Sequence, residues 1–233
     1  MAEDKTAIRD AATVIVLRDR LGEPSILMGQ RGAKAVFMPN KFVFPGGAVD
    51  PADQDVTLAT DLPALCNERL AERSEQGLQN ALAAAAIREL WEETGLILGK
   101  PASWSGAVPV DWQEFAAMGF RPSARPLQFV FRAVTPPGRP RRFDARFFLV
   151  DADAIQGDLD DFSRASDELS HLQWVPLSRA RELDLPFITE VVLAEVAARV
   201  TTPEPPATVP MYLHKEEQSL FLQLKGYPMP DVD

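Results

Sequence analysis

The run Ala81 to Leu98, ALAAAAIRELWEETGLIL, constrains this chain more than any other stretch. Five alanines with Leu82, Ile87 and Leu90 join high helix propensity to an apolar stripe, and Gly95 stands where such a helix stops. Glu89, Glu92 and Glu93 fall at i, i+3 and i+4, so three carboxylates share one side of the rod. Clustered carboxylate oxygens suit a hard divalent cation, Mg²⁺ or Mn²⁺. Arg88 precedes Glu92 by four residues and adjoins Glu89, a placement that lets it orient a carboxylate. On these residues alone the competing reading is an ordinary solvated helix face with one Arg–Glu pair.

A second element, Phe44-Pro45-Gly46-Gly47, shifts that balance. Proline fixes one φ and two glycines open conformations closed to other residues, so the backbone is expected to turn tightly against an anion. Together the two stretches resemble the box of the Nudix hydrolases, Gly-x5-Glu-x7-Arg-Glu-apolar-x-Glu-Glu-x-Gly-apolar. Gly47 takes the first place, and Arg88, Glu89, Leu90, Glu92, Glu93, Gly95 and Leu96 match the second half in full. Two departures stand out. Asp53 occupies the place of the first glutamate, and residues 54 to 87 replace the short spacer, an insertion of about 27 residues.

The resemblance runs from about residue 10 to 200 and implies an α/β fold, an α/β/α sandwich with a mixed β-sheet and, here, an inserted helical segment. It also implies a metal-dependent pyrophosphohydrolase that cleaves a nucleoside diphosphate linked to another moiety. Carried onto this chain, Glu92 and Glu93 become the principal metal ligands and Glu89 a ligand or base. Arg88 holds the glutamates, Gly47 supplies a carbonyl ligand and Asp53 is a secondary ligand. Arg31, Phe44, Gly46 and Gly47 are expected to contact substrate. Glu168, a few residues before Trp174-Val-Pro-Leu177, resembles a further ligand or base of the family.

Composition restricts the alternatives. A formal charge of −10 and a pI near 4.8 lack the basic stripe of a nucleic-acid-binding surface. With 46% hydrophobic and 25% charged residues the chain can bury a core. We expect one domain over residues 1–233, with an insertion at about 54–80 and a C-terminal extension at about 201–233. The single cysteine, Cys66, forms no internal disulfide and is expected to be buried or incidental. Residues 1 to 10 carry no apolar signal region, no run reaches the roughly 20 residues of a membrane span, and residues 229 to 233 carry no Ser-Lys-Leu address. The expectation is a cytoplasmic protein without a nucleic-acid or membrane partner.

Elsewhere the pattern marks strands at 11–17, 25–31, 128–134, 144–150 and 172–177, with a last edge strand at 219–224. Helices are expected at 62–77, within the insertion, at 112–118, and at 185–200 behind Pro186. The inserted helix packs beside the glutamate helix or caps the site, or else decorates the surface. Trp104, Trp112 and Phe115 read as core rather than as stacking platforms. Arg139, Arg141 and Arg142 gather at a turn that either steers an anionic substrate or is a plain hairpin tip. Residues 201–210, TTPEPPATVP, read as a proline-rich linker, and His214 as structural.

The run Arg31, Phe37-Met-Pro39, Phe42 to Gly47, Asp50 and Ala52-Asp53 resembles one branch of the family, the coenzyme A diphosphatases with a long insertion inside the box, although the arginine expected before Phe-Pro-Gly-Gly is missing. That branch implies coenzyme A or acyl-coenzyme A as substrate. ADP-ribose or dinucleotide hydrolysis, and nucleotide sensing without cleavage, are the alternatives. A homodimer through sheet edges or the inserted helix is the candidate assembly.

Overall fold

The segment Ile8–Arg18 is β-branched and apolar, and it becomes the central strand, β1, buried on both faces. Val14 and Val16 point into one core, Ile15 and Leu17 into the other. The computed structural model describes residues 7–35, 37–215 and 218–226. After β1 come β2 (Ser25–Arg31), β3 (Phe42–Val43), β4 (Gly46–Ala48) and a 3-10 turn, Pro51–Asp55. The insertion carries helix α1 (Ala64–Ala71) and leads into helix α2 (Leu78–Thr94). A small lobe follows: β5 (Gly99–Pro101), α3 (Gln113–Ala117) and β6 (Phe120–Pro122). The chain then builds β7 (Gln128–Val134), β8 (Arg142–Asp151), β9 (Leu169–Pro176), α4 (Phe187–Arg199), β10 (Val209–Lys215) and β11 (Gln218–Leu224).

Nine strands form one mixed sheet in the order β11-β10-β7-β8-β1-β2-β3, with β4 paired to β1 and β9 to β2; β5 and β6 form a separate ribbon. β1 runs parallel to β8 over ten pairs and antiparallel to β2 and β4. One face packs on α1 and α2, the other on α4, so the expected α/β/α sandwich is the fold. Ala81 and Ala83 to Ala86 are fully buried, and their small side chains let α2 lie close to the sheet. Gly95 ends the helix at φ 76° and donates its N–H to the Trp91 carbonyl at 2.7 Å. The helix therefore starts three residues before Ala81 and stops at Gly95, where the sequence places its end. No described helix is long and apolar enough to cross a membrane.

Two expectations change. The Gly46-Gly47 pair does not turn; it lies extended as β4, with Ala48, Gly47 and Gly46 opposite Ala11, Ala12 and Thr13. A Cβ on Gly46 would stand 2.6 Å from the Ala12 carbonyl, so close approach is what the glycine provides there. The linker ends sooner than expected, because Val209 and Pro210 already belong to β10, which pairs parallel to β7 and antiparallel to β11. Trp112 and Phe115 are core, as expected, and Trp104 packs against them. Cys66 is a free, buried thiol, and burial pushes its pKa up to about 11.

The insertion packs beside α2 and holds the C-terminal extension rather than capping the site. Arg69 on α1 donates to the carbonyls of Pro206 and Ala207, each at 2.7 Å. Glu72 accepts the N–H groups of Lys225 and Gly226 at 2.8 and 3.0 Å. From the sheet, Arg132 donates to the carbonyls of Glu72 and Arg73, and Arg146 to the Ser74 hydroxyl. Burial pushes the Arg69 pKa down, and both of those acceptors are neutral. Arg69→Met keeps most of the stem and leaves the carbonyl of buried Pro206 and the part-buried carbonyl of Ala207 without these donors. We expect it to cost about 1–3 kcal/mol of stability in urea unfolding. Wild-type stability would show that the clamp is incidental.

Candidate active site

α2 and the Pro51–Asp55 turn meet at one buried cation. Arg88 is 3% exposed, and all five of its guanidinium N–H groups find acceptors. Nε donates to Asp53 Oδ1 and Nη2 to Asp53 Oδ2, both at 3.0 Å, a bidentate pair. Nη2 also donates to the Ala48 carbonyl at 3.0 Å. Nη1 reaches Glu89 Oε1 at 2.9 Å and Glu92 Oε2 at 3.0 Å, while Asp50 stands 3.6 Å away. Burial opposes the charge, but Asp53 and the two glutamates hold the Arg88 pKa above its ordinary value. The cation is permanent, and its partners are fixed by it.

On the sheet side of α2, Glu89 and Glu93 face β4. Glu93 is 2% exposed and accepts the Gly46 N–H at 2.8 Å. A Cβ on Gly47 would stand 2.3 Å from Glu89 Oε1, so only glycine leaves room for that carboxylate. Burial raises the Glu89 pKa to about 7, opposed by Arg88 and reinforced by Glu92 and Glu168. Burial and then the Glu89 charge raise that of Glu93 well above the carboxylate range; the Gly46 N–H and Arg31 oppose the shift, and Glu168 adds to it. Glu92 is partly exposed, and burial raises its pKa against the pull of Arg88.

Glu168 arrives from the loop before β9. That loop is fastened to the end of α2 by the Ser166 N–H, which donates to the Glu92 carbonyl at 2.8 Å, and by Arg164 packed on Gly95. Arg31, at the end of β2, is near enough to oppose the shift on Glu93, and its buried Nε has no acceptor among the described residues. The arrangement is thus an acidic floor of Glu89 and Glu93, an exposed Glu168 above it, extended backbone from β4 on one side and a basic donor at the rim.

The comparisons with known proteins follow this geometry. No family model matches the chain. A solved NUDIX hydrolase from Alicyclobacillus acidocaldarius superposes with a TM-score of 0.62 at 28% identity, over 84% of this chain and 97% of that one. This is a Nudix fold. A Caenorhabditis elegans protein provisionally named nudix hydrolase 7 is 28% identical over 161 residues, 64% of this chain. The chain spans 46% of the length of that curated relative. An Ap4A hydrolase of Caenorhabditis elegans, solved as a binary complex, overlays with a TM-score of 0.47 at 17% identity, over 83% of this chain and 98% of that one. The curated relative and the solved structure from Alicyclobacillus acidocaldarius support the resemblance to the Nudix hydrolases drawn from the split box.

Of the residues singled out in the sequence, the Nudix fold brings Glu89, Glu93, Gly46, Gly47, Glu168 and Arg31 together. Two, Asp53 and Phe44, are placed otherwise. Asp53, expected as a secondary metal ligand, is fully buried, with both oxygens taken by Arg88 and the Asp50 N–H. Glu92, expected as a principal ligand, gives one oxygen to Arg88, as Glu89 does, and stays part-exposed beside the cluster. Phe44, expected at the substrate, is buried in the α4-side core and offers no surface to a ligand. Asp50 was missed as a partner of Arg88 and of Arg9, 3.9 Å away. The Asp-Pro-x-Asp spacing at 50–53, a helix-start signal, could have marked it.

Among the described residues no group of three His, Cys, Asp or Glu side chains already surrounds one point. The carboxylates instead use the donors at hand, Arg88 for Glu92 and the Gly46 N–H for Glu93. The donor set is nevertheless all oxygen, anionic and closely spaced, which fits a hard divalent cation better than a soft one. Glu89, Glu93 and Glu168 with the β4 backbone are the residues that could hold it.

The raised pKa of Glu89 has a sign that can be checked. Its unfolded-state carboxyl ionises near pH 4.5, the folded one near pH 7, so between these the folded state binds more protons. In chelator-treated protein, stability should therefore fall as pH rises from about 4.5 to 7, by a few kcal/mol, and then level off. Glu89→Gln should flatten the slope, and Mn²⁺ should raise the melting temperature most above pH 7. A slope unchanged in the variant would remove Glu89 from the cluster.

Proposed function

We propose that this chain is a divalent-cation-dependent hydrolase of a phosphoanhydride bond, acting on a nucleoside diphosphate linked to another moiety. The observation that carries the reading is the buried pair of carboxylates beside β4: Asp53 and the Ala48 carbonyl are committed to Arg88, Glu89 shares its remaining N–H groups with Glu92, and Glu93 has only the Gly46 N–H, with Glu168 close enough to add its charge. A structural ion cluster would satisfy its carboxylates; here two of them are buried with an excess of negative charge.

Glu89, Glu93 and the Gly47 carbonyl hold the cation in this reading, with Asp53 and Arg88 as positioning residues that fix α2 against β4. A bound Mg²⁺ or Mn²⁺ would neutralise charge on the diphosphate oxygens and make a coordinated water acidic. Glu168, exposed above Glu89 and Glu93, is the residue placed to accept a proton from the attacking water, or else to complete the ligand set. Arg31 offers its free Nε to a phosphate oxygen. Arg139, Arg141 and Arg142 at the β7–β8 turn add positive potential in a chain of net charge −10 and favour the approach of an anion.

Coenzyme A or an acyl derivative is the substrate we favour, on the branch resemblance of residues 31 to 47, with ADP-ribose and dinucleotides next. No partner chain other than a second copy of itself is invoked, and the cytoplasm is the compartment we assign.

The test is Mg²⁺-dependent hydrolysis of coenzyme A, ADP-ribose, NADH and a diadenosine polyphosphate, with products resolved by mass. Release of 4′-phosphopantetheine and 3′,5′-ADP from coenzyme A is the expected outcome. Glu93→Gln preserves volume and should lose turnover by orders of magnitude with its circular dichroism unchanged. Full activity in Glu93→Gln would sink the assignment of the site. Preference for another substrate would discard the coenzyme A branch alone, and binding without cleavage would favour a nucleotide sensor.

A further inference from the structure

β11 is the outermost strand of the sheet, and its outer edge has no backbone partner among the described residues. Proteins that remain monomeric protect such an edge with charge, proline or a bulge. Gln218-Ser-Leu-Phe-Leu-Gln-Leu224 carries none of these, although the chain as a whole bears a formal charge of −10. Its register with β10 runs unbroken over seven pairs. The edge is long, regular and uncharged.

The face beside it is apolar as well. Phe221 is 56% exposed and Phe187, at the start of α4, is 65% exposed. Tyr212 lies between them, 4.8 Å from Phe221 and 6.2 Å from Phe187 by ring centroids, so three aromatics form one contiguous patch at the edge. A patch of that kind marks an interaction surface rather than scattered surface residues.

The sequence of the strand identifies the occupant. It is nearly symmetric about Phe221: Leu220 and Leu222 flank it, then Ser219 and Gln223. An antiparallel copy aligned on Phe221 therefore sets leucine against leucine and Ser219 against Gln223, with Gln218 against Leu224 the one mismatched pair of the strand. Any charged or bulged foreign strand would lack that match. We propose that β11 pairs antiparallel with β11 of a second copy of this chain, about a two-fold axis through Phe221, joining the two sheets. The contact is isologous and closes on itself, so it yields a dimer and not a filament.

Sedimentation and light scattering of the full chain at tens of micromolar should report a dimer. Phe221→Lys and Phe221→Glu each set like charges face to face at the axis, and each alone should be monomeric with an unchanged circular dichroism spectrum. An equimolar mixture of the two should recover the dimer. A monomeric wild type, a dimer that survives in either single variant, or a mixture that stays monomeric would overturn the proposal. Hydrogen exchange gives a check free of substitutions: β11 amides should lose protection on dilution of the wild type. Rapid exchange of β11 at both high and low concentration would overturn it too.

Discussion

One buried guanidinium decides how the rest of this site can be built. Arg88 has five N–H groups and five acceptors, drawn from the Pro51–Asp55 turn, from the β4 carbonyl at Ala48 and from its own helix. Leaving such a cation with a partner removed costs several kcal/mol, because the uncompensated charge stays buried. The geometry is therefore all or nothing, and it fixes α2 to β4 within hydrogen-bond tolerance. It also explains how a box split by residues 54 to 87 still closes. Loop-closure entropy grows only logarithmically with length, so the insertion adds little to the cost of bringing Asp53 to Arg88. The Asn80 side chain, bonded to the Val56 carbonyl at 3.1 Å, pins the seam where the insertion leaves the turn.

What Arg88 cannot do is neutralise everything around it. Two unit charges about 4 Å apart at an effective dielectric of 20 repel by about 4 kcal/mol, whereas a hydrogen bond to a charged group returns about 1.5–3 kcal/mol. The Gly46 N–H and Arg31 oppose the effects of burial and of the Glu89 charge on Glu93 without cancelling them, so its pKa stays raised. A cation is the one addition that would reverse this without moving the backbone. The floor of the site is rigid for a second reason: the space at Gly47 is filled by the Glu89 carboxylate, so strand, helix and side chain interlock.

Much of this was legible in the sequence where the cause is local. The alanine-rich stretch gave α2 because propensity, periodicity and a Gly95 stop all agree within one segment. The strand at 11–17 was evident from β-branched residues, and the glutamates from their spacing. The failures share a different cause. Gly46-Gly47 reads as a turn, yet what it accommodates is a carboxylate from more than 40 residues downstream and a carbonyl from β1. Asp53 occupies a ligand's place in the motif, but its distance to Arg88 is set by a turn that the sequence places only through Asp50-Pro51. Phe44 follows the same rule, since only the packing of α4 shows it to be core. β10 hides behind Pro203, Pro205, Pro206 and Pro210, and its pairing with β7 is a long-range parallel contact that no local pattern announces.

The inserted segment and the C-terminal strands are one structural unit. Arg69 is buried and its Nη groups end on Pro206 and Ala207, at the entrance to β10. Glu72 is buried and accepts from Lys225 and Gly226, at the exit of β11. Cys66 and Leu70 of α1 share a core with Val209, Met211 and Leu224 of the extension. Without the extension, α1 would carry a buried arginine and a buried glutamate with no partners. Without the insertion, β10 and β11 would lose both anchors and the apolar face they lean on. Neither is stable alone in this arrangement, so the physical unit added to the frame is the pair. Its free edge, β11, then becomes the edge of the whole sheet, which makes the surface most exposed to pairing a consequence of the same insertion that splits the box.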